Sequence, residues 1–235
     1  MEKVAAIIPA AGAGVRMRGK VPKQFLEFCG RPVLSYTLDK FQGCTGIDVI
    51  FLVAPAEHLE FCRTEIVSRY GFSKVRKIVS GGEKRQDSVR NGLEATEGAY
   101  ELILIHDGAR PFVEIPLIES VIAAARVERA VITALPARDT VKEIDGQGIV
   151  VRTYKRSQVW LAQTPQAFRY EDIMKAHRRA VEEDWGEVTD DSSLLEKMGI
   201  PVKVLNGSEK NIKVTTPGDV AFANFMQKRI YEECC

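Results

Sequence analysis

The sequence predicts an α/β fold with a mostly parallel sheet and helices on both faces. Short apolar runs rich in β-branched residues alternate with longer amphipathic segments along most of the 235 residues. Strands that alternate with helices of this length are joined by crossovers, which place parallel strands side by side. A glycine-rich loop follows the first apolar run directly, as expected at the carboxyl end of a strand, where ligands bind in such sheets.

The individual elements follow from length and periodicity. Apolar runs that are short and bounded by turn residues predict strands at 4–8, 47–53, 74–79, 102–106, 130–135 and 201–205. Apolar residues that recur at intervals of three and four predict helices at Arg31–Phe41, Glu57–Tyr70, Glu83–Thr96 and Ile115–Val127.

The stretch that precedes Trp160 breaks this alternation. Apolar and polar residues alternate on both sides of Asp145-Gly146, which is typical of a β-hairpin. An isolated hairpin is marginally stable and needs something to cover its apolar face, and a second subunit is the simplest cover. The length suits one core, since single cores grow to roughly 250 residues. We therefore expect one domain over 1–235 with a β-arm at about 138–158.

Composition excludes several classes of function. Lys and Arg number 33 against 32 Asp and Glu, so the net charge of +1 gives no overall field that would attract nucleic acid or a membrane surface. No apolar run reaches the roughly 20 residues that span a bilayer, and Pro9 ends the first run early, as in a strand rather than a signal peptide. The five cysteines lack C-x-x-C spacing, which favours reduced thiols. We expect a cytoplasmic protein.

The loop "PAAGAGVRMRGKVPKQF" (9–25) is predicted to bind phosphate groups. It matches neither of two familiar phosphate loops, because Met17 replaces the third glycine of the dinucleotide fingerprint and Val21 replaces the Ser or Thr of a P-loop. Its small residues would let the backbone approach an anion, and its four cations would reach phosphate oxygens: Arg16, Arg18, Lys20 and Lys23. The alternative is a glycine turn with solvated cations.

The segment "GGEKRQDSVRNGL" (81–93) adds a candidate for base recognition. Gly81 and Gly82 follow a predicted strand and would bring backbone N–H groups against a flat ring. Ser88 offers a hydroxyl group that both donates and accepts at a base edge. The alternative is a glycine turn followed by a helix whose first acids favour the macrodipole.

The segment "HDGARPF" (106–112) places a carboxylate at a strand end. Asp107 there would hold a ribose hydroxyl or a metal ion. The alternative is an ion pair with Arg110 that braces the loop. His106 follows an apolar strand and is interpreted as a hydrogen-bonded strand-end residue rather than a base.

Polar residues elsewhere complete the candidates. Thr140, Arg156 and Thr164 flank the hairpin, and Lys213 lies in "NIKVTTPGD". Each alone is typical of a solvated surface, whereas several near the strand ends of one sheet favour a site. Paired acids in "EVTDDSS" (187–193) suggest either a metal site or, preferentially, a helix cap.

For that cap, Thr189 or Asp190 would bind the backbone at Ser192 or Ser193, and the acids would favour the helix dipole. We therefore nominate neither Asp190 nor Asp191 as a metal ligand.

These motifs together resemble one family. "PAAGAGVRM…PKQF", "GGEKRQDSV", "HDGARPF", "RDTVK", "QTPQAF", "TDDSSLL" and "NIKVTTPGD" occur in the order and spacing of the 2-C-methyl-D-erythritol 4-phosphate cytidylyltransferases of the non-mevalonate isoprenoid pathway. The resemblance runs from Val4 to about Phe225. It implies a Rossmann-like nucleotidyltransferase fold and the transfer of CMP from CTP to the sugar phosphate. Pyrophosphate is released, and Mg²⁺ is bound mainly through the CTP phosphates.

The resemblance also implies roles for residues. Arg16 and Lys23 would hold the triphosphate and stabilise the transition state, with Arg156 and Lys213 completing the catalytic cations. The CTP site would comprise Ala10, Ala11, Gly12, Ala13, Gly14, Gly81, Gly82, Ser88 and Asp107, the last by the ribose and the metal. The acceptor site would comprise Asp107, Arg110, Thr140, Arg156, Thr164, Thr189 and Lys213.

In that family the hairpin is an arm exchanged between two subunits, which implies a homodimer in which Thr140 and Arg156 act in the neighbouring site. The chemistry fits the residues independently of the resemblance. A phosphomonoester is largely dianionic at neutral pH and needs no general base, and phosphoryl-type transfer depends mainly on positioning and cations. Only three histidines are present, which is therefore no obstacle.

Three alternatives stay open at the level of sequence. Ribitol-5-phosphate cytidylyltransferases share the fold and many motifs, although "PAAGAG" and "NIKVTTPGD" fit the isoprenoid family better. A non-catalytic nucleotide-binding protein would be expected to lack one of the transition-state cations. An NAD-dependent dehydrogenase is disfavoured by Met17.

Overall fold

A seven-stranded sheet forms the centre of the protein, which we describe from a computed structural model for residues 2–12 and 22–233. The strand order is β11-β7-β10-β6-β1-β4-β5. Only β10 runs antiparallel to its two neighbours, so the other six strands share one direction. The strands of the described residues are β1 (Val4–Pro9), β2 (Glu27–Phe28), β3 (Arg31–Pro32), β4 (Val49–Ala54), β5 (Val75–Ser80), β6 (Leu102–Ile105), β7 (Ala130–Pro136), β8 (Lys142–Ile144), β9 (Val150–Thr153), β10 (Trp160–Arg169) and β11 (Lys203–Asn206).

Helices cover both faces of this sheet. The α-helices are α1 (Val33–Gly43), α2 (Leu59–Phe61), α3 (Arg85–Ala95), α4 (Ile115–Ala125), α5 (Tyr170–Glu182), α6 (Ser192–Lys197) and α7 (Pro217–Glu233). Short 3₁₀ turns lie at Lys23–Phe25, Ala56–His58 and Arg156–Gln158, and a π-helical stretch at Cys62–Ser68 continues α2.

Strand β1 shows how the core divides into two layers. Its residues Val4, Ala6 and Ile8 pack in one cluster with α1 and α4. Its residues Ala5 and Ile7 pack in a second cluster with α3, α5 and α6. Because successive side chains of a strand point to opposite faces, a strand buried on both faces is apolar throughout, as this one is. The predicted mostly parallel sheet with helices on both faces is confirmed.

The predicted elements are found within two residues of their expected ends, but the central strand β10 was not predicted. Its sequence "WLAQTPQAFR" contains Pro165 and several polar residues, which interrupt the apolar pattern of a buried strand. The sheet accommodates them by a shift of register between Gln163 and Gln166. The helices α5 and α7 were also not predicted, whereas the start of α6 was predicted by its helix cap.

The carboxyl ends of neighbouring strands bring three loops together. The Ala10 N–H donates to Val53 O at 2.7 Å, and the Gly81 N–H donates to Ala54 O at 2.8 Å. On the other side of β1, the Gly108 N–H donates to Pro9 O at 3.1 Å. The loops after β1, β5 and β6 therefore start from one edge of the sheet, as a ligand site in this fold requires.

The predicted hairpin is present as β8 and β9, which form a two-stranded sheet of their own. Every residue of both strands is exposed, and the apolar side chains Ile144, Ile149, Val150 and Val151 are more than half exposed. Exposed apolar side chains in a row are typical of a surface that another protein covers.

No helix within 2–12 and 22–233 is long and apolar enough to cross a membrane. The cysteines that the structure describes, Cys29, Cys44 and Cys62, are free thiols. Burial raises the pKa of the Cys62 thiol to about 12, so this residue behaves as an apolar core side chain rather than a nucleophile.

Candidate active site

The first cavity lies where the loops after β1 and β5 meet, and it has a volume of about 240 Å³. Its wall joins the glycine-rich loop, the N-terminus of α3 and the end of β6. Its lining residues are Pro9, Ala10, Ala11, Gly12, Gln24, Gly82, Glu83, Lys84, Arg85, Ser88, Asp107, Ala109 and Lys213.

Gly81 is required by the close approach of two of these loops. A Cβ atom added at Gly81 would lie 2.2 Å from Ala11 Cβ and 2.8 Å from Ser88 Oγ. A side chain there would push the two loops apart. The absence of a side chain at Gly81 therefore lets the loop after β5 pack against Ala11, whereas the sequence predicted that this glycine would contact a ligand.

Ser88 holds the second of these loops from the inside. Its hydroxyl group accepts a hydrogen bond from the Gly82 N–H at 3.2 Å and donates one to Lys84 O at 3.2 Å. Asp87 accepts a bond from the Lys84 N–H at 3.2 Å, which caps the start of α3. Both the predicted turn and the predicted helix acid are present, and the Ser88 hydroxyl lies in the cavity wall.

The second cavity lies beside the first, at the carboxyl end of β6 and the middle of β10, and has a volume of about 330 Å³. It is lined mainly by polar side chains. The lining residues are Arg85, Asp107, Arg110, Ala162, Gln163, Thr164, Gln166, Thr189, Asp190 and Lys213.

Three residues line both cavities: Arg85, Asp107 and Lys213. Arg85 Nε lies 3.1 Å from Asp107 Oδ1, and Lys213 Nζ lies 2.7 Å from Asp107 Oδ2. Arg110 Nε is 3.8 Å from the same Oδ2 atom. We call Arg85, Asp107 and Lys213 the junction residues, because they lie in the wall that the two cavities share.

The charges at the junction favour anions. Burial alone would raise the pKa of Asp107, but Arg85, Lys213 and Arg110 outweigh it and hold that pKa far below its usual range. Burial alone would lower the pKa of Arg85, but Asp191 and Asp107 outweigh it and raise that pKa above its usual range. Arg85 and Asp107 are therefore both charged at neutral pH, and three basic side chains, those of Arg85, Arg110 and Lys213, surround this carboxylate.

A chain of hydrogen bonds fixes the loop that carries Asp107. The Asp107 N–H donates to Thr164 Oγ1 at 3.1 Å, and Thr164 Oγ1 lies 3.1 Å from His106 Nδ1. His106 Nε2 lies 3.1 Å from Arg110 O. Since a carbonyl only accepts, Nε2 carries the proton and Nδ1 accepts from the threonine hydroxyl. His106 is fully buried and hydrogen-bonded at both nitrogens, as its interpretation as a strand-end residue requires.

Burial lowers the pKa of His106 to about 4, below the usual value of 6.5. The unfolded chain therefore binds a proton as the pH falls through 6.5, whereas the folded protein does not until about pH 4, so stability is lost over this window. Between pH 7 and pH 5 we expect this residue to lower the free energy of unfolding by about 2 kcal/mol. Urea unfolding of the wild type and His106→Gln at both pH values measures it.

The variant should lose less stability than the wild type over this range, because the other titrating groups are common to both proteins. The carboxylates of lowered pKa, Asp107 and Asp191, contribute mainly below pH 5. An equal loss in both proteins would show that His106 is not held neutral.

The structure brings together most of the predicted residues that it describes. Ala10, Ala11, Gly12, Gly82, Ser88, Asp107 and Lys213 line the first cavity, and Arg110, Thr164 and Thr189 line the second with Asp107 and Lys213. Gly81 lies directly behind the first cavity. The described residues Thr140 and Arg156 line neither cavity of their own chain, and both are exposed. Ala13, Gly14, Arg16 and the Lys23 side chain lie outside the described part of the molecule.

Asp190 caps the start of α6, as the preferred alternative predicted, whereas Asp191 pairs with Arg85 instead. Asp190 Oδ1 accepts the Ser193 N–H at 3.3 Å, and Asp190 Oδ2 accepts the Ser192 hydroxyl at 2.9 Å. Asp190 Oδ2 also accepts Gln166 Nε2 at 3.0 Å, which ties the helix start to β10. Within the described residues no group of three or more His, Cys, Asp and Glu side chains is arranged to hold a metal ion.

Sequence reasoning missed Arg85, Asp191, His177 and Gln24 as residues of this region. Arg85 bonds both Asp107 and the fully buried Asp191, and Gln24 is buried in the wall of the first cavity. A helix-start arginine after two glycines was the one available signal for Arg85. Asp191 and His177 are far apart in sequence from the loops they support, and their burial follows only from the packing of α5 and α6.

Comparisons with known proteins agree on one family. The family model described as IspD, 2-C-methyl-D-erythritol 4-phosphate cytidylyltransferase, matches residues 4–229. A protein of that name from Syntrophus aciditrophicus (strain SB) is 47% identical over 227 residues, which cover 97% of each chain. Another from Geobacter metallireducens is 46% identical over 231 residues, covering 97% of this chain and 99% of the relative.

Solved structures are similar over the same length. The crystal structure of 4-diphosphocytidyl-2C-methyl-D-erythritol synthase from Anaerococcus prevotii has a TM-score of 0.85 and 38% sequence identity, covering 97% of this chain and 96% of that one. The crystal structure of 2-C-methyl-D-erythritol 4-phosphate cytidylyltransferase from Thermus thermophilus has a TM-score of 0.78 and 31% identity, covering 97% of this chain and 100% of that one.

Proposed function

This chain belongs to the 2-C-methyl-D-erythritol 4-phosphate cytidylyltransferase family, and from that membership we propose how its residues carry out the reaction. The protein transfers CMP from CTP to 2-C-methyl-D-erythritol 4-phosphate. The products are 4-diphosphocytidyl-2-C-methyl-D-erythritol and pyrophosphate. The matches do not favour the ribitol 5-phosphate alternative.

In the proposed arrangement CTP occupies the first cavity and the sugar phosphate occupies the second. The observation that supports it is the junction, since Arg85, Asp107 and Lys213 line both cavities. An oxygen of the acceptor phosphate attacks the α-phosphorus of CTP there. A new phosphorus–oxygen bond forms, the bond to the β-phosphate breaks, and pyrophosphate leaves with the electron pair.

Lys213 at the junction and its neighbour Arg110 supply the positive charge that this step needs. The attacking phosphate is already a dianion, so no base has to remove a proton. Lys213 lies 34% exposed and Arg110 lies 11% exposed, so both charges face a partly dehydrated space in which they act strongly on developing negative charge. Arg16 and Lys23 are proposed to act on the triphosphate from the neighbouring loop.

A magnesium ion is proposed to bind with CTP, held mainly by the phosphates. The donor set fits this mode, because Asp107 and Glu83 are the carboxylates that line the first cavity and Asp107 already contacts three cations. Magnesium commonly binds through one or two carboxylates and substrate phosphates rather than in a protein cage. When bound it neutralises phosphate charge.

A homodimer formed by arm exchange is proposed to complete the acceptor site. Thr140 and Arg156 lie on the exposed arm and line neither cavity of their own chain, so a second chain has to supply them if they bind the acceptor. The exposed apolar side chains of β8 and β9 support such a partner. The free thiols described above support a cytoplasmic location.

Pyrophosphate release tests the function directly. The protein is offered CTP and Mg²⁺ with either methylerythritol phosphate or ribitol 5-phosphate, and ATP, GTP and UTP serve as nucleotide controls. Turnover with CTP and methylerythritol phosphate alone is the expected result. Preference for ribitol phosphate would overturn the acceptor assignment, and no turnover with either would overturn the proposed function.

Replacing Ser88 by alanine is expected to raise the KM for CTP about 2- to 10-fold and to reduce the preference for CTP over UTP. The hydroxyl group holds Gly82 and Lys84 in the wall of the first cavity, and losing such a hydrogen bond costs about 0.5–1.5 kcal/mol. Steady-state kinetics with both nucleotides measures it. Ser120→Ala is the control, because that hydroxyl donates to Leu117 O on the exposed face of α4. Equal KM values for Ser88→Ala and wild type would remove Ser88 from the CTP site.

A further inference from the structure

One guanidinium group links the junction to the interior of the protein. Arg85 Nε bonds Asp107 Oδ1 at 3.1 Å, and Arg85 Nη1 bonds Asp191 Oδ2 at 2.7 Å. Asp107 faces both cavities, whereas the Asp191 side chain is fully buried. Arg85 therefore has a fixed inner end and an outer end at the reaction centre.

The inner end rests on a second buried group. Asp191 immediately precedes α6, and its Oδ1 atom lies 3.3 Å from His177 Nε2 on α5. Both side chains are fully buried. Within the described residues, neither ring nitrogen of His177 makes an aligned hydrogen bond.

Buried ions of this kind are poor sources of stability. The cost of dehydrating two charges often exceeds their attraction, so apolar residues of similar size serve as well or better in many cores. Arg85, Asp191 and Asp107 nevertheless remain charged, since each pKa is moved in the direction that keeps the charge. A role in holding a site in place accounts for a costly arrangement that packing alone does not require.

The outer end determines where Lys213 lies. Arg85 occupies Asp107 Oδ1, which leaves Oδ2 for Lys213 Nζ at 2.7 Å. A planar guanidinium that binds two carboxylates through different nitrogens is fixed in both position and plane. Without Asp191, the freed Nη1 end of Arg85 turns toward Asp107 and competes with Lys213 for the same carboxylate.

We propose that Asp191 is a positioning residue for the transfer reaction: through Arg85 it fixes Asp107, and through Asp107 it fixes Lys213 at the junction of the two cavities. This inference rests on the proposed function. It assigns no contact with either substrate to Asp191.

Kinetics of Asp191→Asn tests the inference, because asparagine keeps the size of the side chain and removes its charge. We expect kcat to fall about 10- to 100-fold, as for a catalytic group displaced by a small distance. The dissociation constant of CTP, measured by calorimetry without acceptor, should stay within about twofold of wild type, since Asp191 lines neither cavity. An unchanged kcat would overturn the proposal.

The matched control is Asp172→Asn. Asp172, on α5, accepts a hydrogen bond from Arg129 Nε at 2.9 Å. Neither residue of this ion pair lines either cavity. Its kcat should equal that of wild type. A similar fall in kcat for Asp172→Asn and Asp191→Asn would mean that any lost Arg–Asp pair impairs the enzyme, which would overturn the assigned role.

A double-mutant cycle separates positioning from general damage. If Asp191 acts through Lys213, then adding Asp191→Asn to Lys213→Met should lower kcat by less than about twofold. Damage to the fold would instead multiply with the effect of Lys213→Met, and a full 10- to 100-fold further loss would overturn the proposal.

A second variant keeps the test informative if Asp191→Asn does not fold. Arg85→Lys retains a positive charge at the junction, but the compact ammonium group lacks the planar set of donors with which the guanidinium group binds both carboxylates. It should lower kcat and show the same non-additivity with Lys213→Met. Wild-type kcat in Arg85→Lys would overturn the proposal. Absence of turnover in the wild type itself would be a failure of the proposed function, and the two failures are thereby distinguished.

Discussion

Replacing Lys213 by methionine is expected to lower kcat by about 100- to 1000-fold, the usual effect of removing one donor to a transition-state oxyanion. Lys213 Nζ lies 2.7 Å from Asp107 Oδ2 and lines both cavities, so in the proposed arrangement its charge faces the bond that forms and the bond that breaks. Methionine preserves much of the length and apolar stem of the side chain while removing the charge.

The size of the effect follows from which state the lysine stabilises. Charge on the oxygens around the α-phosphorus changes during transfer, and a fixed cation in a partly dehydrated site acts most strongly when that charge is greatest. The KM for CTP should therefore change much less than kcat. Initial rates of pyrophosphate release with saturating acceptor measure both constants.

Lys210→Met is the control for this prediction. Lys210 lies three residues earlier in the same segment, and its ammonium group pairs with Glu114 at 3.4 Å outside both cavities. It should retain the wild-type kcat. If Lys213→Met were as active as Lys210→Met, Lys213 would have no catalytic role and the junction would have to be reassigned.

The alternating layers of the fold could be predicted from sequence because their signals are local. Apolar runs such as 4–8 and 102–106 are short, bounded and buried on both faces, and each became a strand. Strand β10 could not be predicted, because its central residues Gln163, Thr164 and Gln166 are polar yet buried at the site. Local sequence rules therefore failed where the strand lines the candidate site.

The residues of the candidate site also fall into those that could be predicted from local sequence and those that could not. Gly82 and Asp107 could be placed at the first cavity because they lie in loops directly after strands, where this fold binds ligands, and Ser88 because it lies near the start of the helix α3 that follows one of these loops. Asp191 and His177 were not found, since their roles depend on contacts with residues distant in sequence, such as Arg85. A paired Asp190 and Asp191 had suggested one shared role, whereas the first caps a helix and the second is a buried partner of Arg85.

The second large effect is expected from Arg156→Met, and it tests the exchanged arm. Arg156 is exposed on its own chain, where its Nη1 atom donates to Arg138 O at 3.1 Å. In the proposed dimer this guanidinium binds the acceptor phosphate in the neighbouring site. Removing a charge that binds phosphate in a partly dehydrated site is expected to lower kcat/KM for the acceptor by about 100-fold or more.

Co-expression of Arg156→Met and Lys213→Met subunits distinguishes exchange from a site within one chain. In a mixed dimer with exchanged arms, one site combines the normal Lys213 with the normal Arg156, and the other site carries both changes. Purified by two different tags, mixed dimers should therefore recover about half of the wild-type activity per dimer. Arms that served their own chain would leave every site with one defect, and the mixed dimer would be as inactive as its parents.

The apolar surface of the arm gives this experiment a structural basis that does not depend on Arg156. Val150 and Val151 are 53% and 64% exposed on a strand of only four residues, and a two-stranded sheet of that size does not hold its shape alone in water. A contact between chains that covers these side chains would fix the arm and deliver Arg156 at the same time. Recovery of activity in the mixed dimer, together with loss of the dimer when Val150 and Val151 are both replaced by lysine, would thus assign stability and catalysis to one interface. A monomeric variant with full activity would show that catalysis does not depend on this interface and that Arg156 does not act in a neighbouring site.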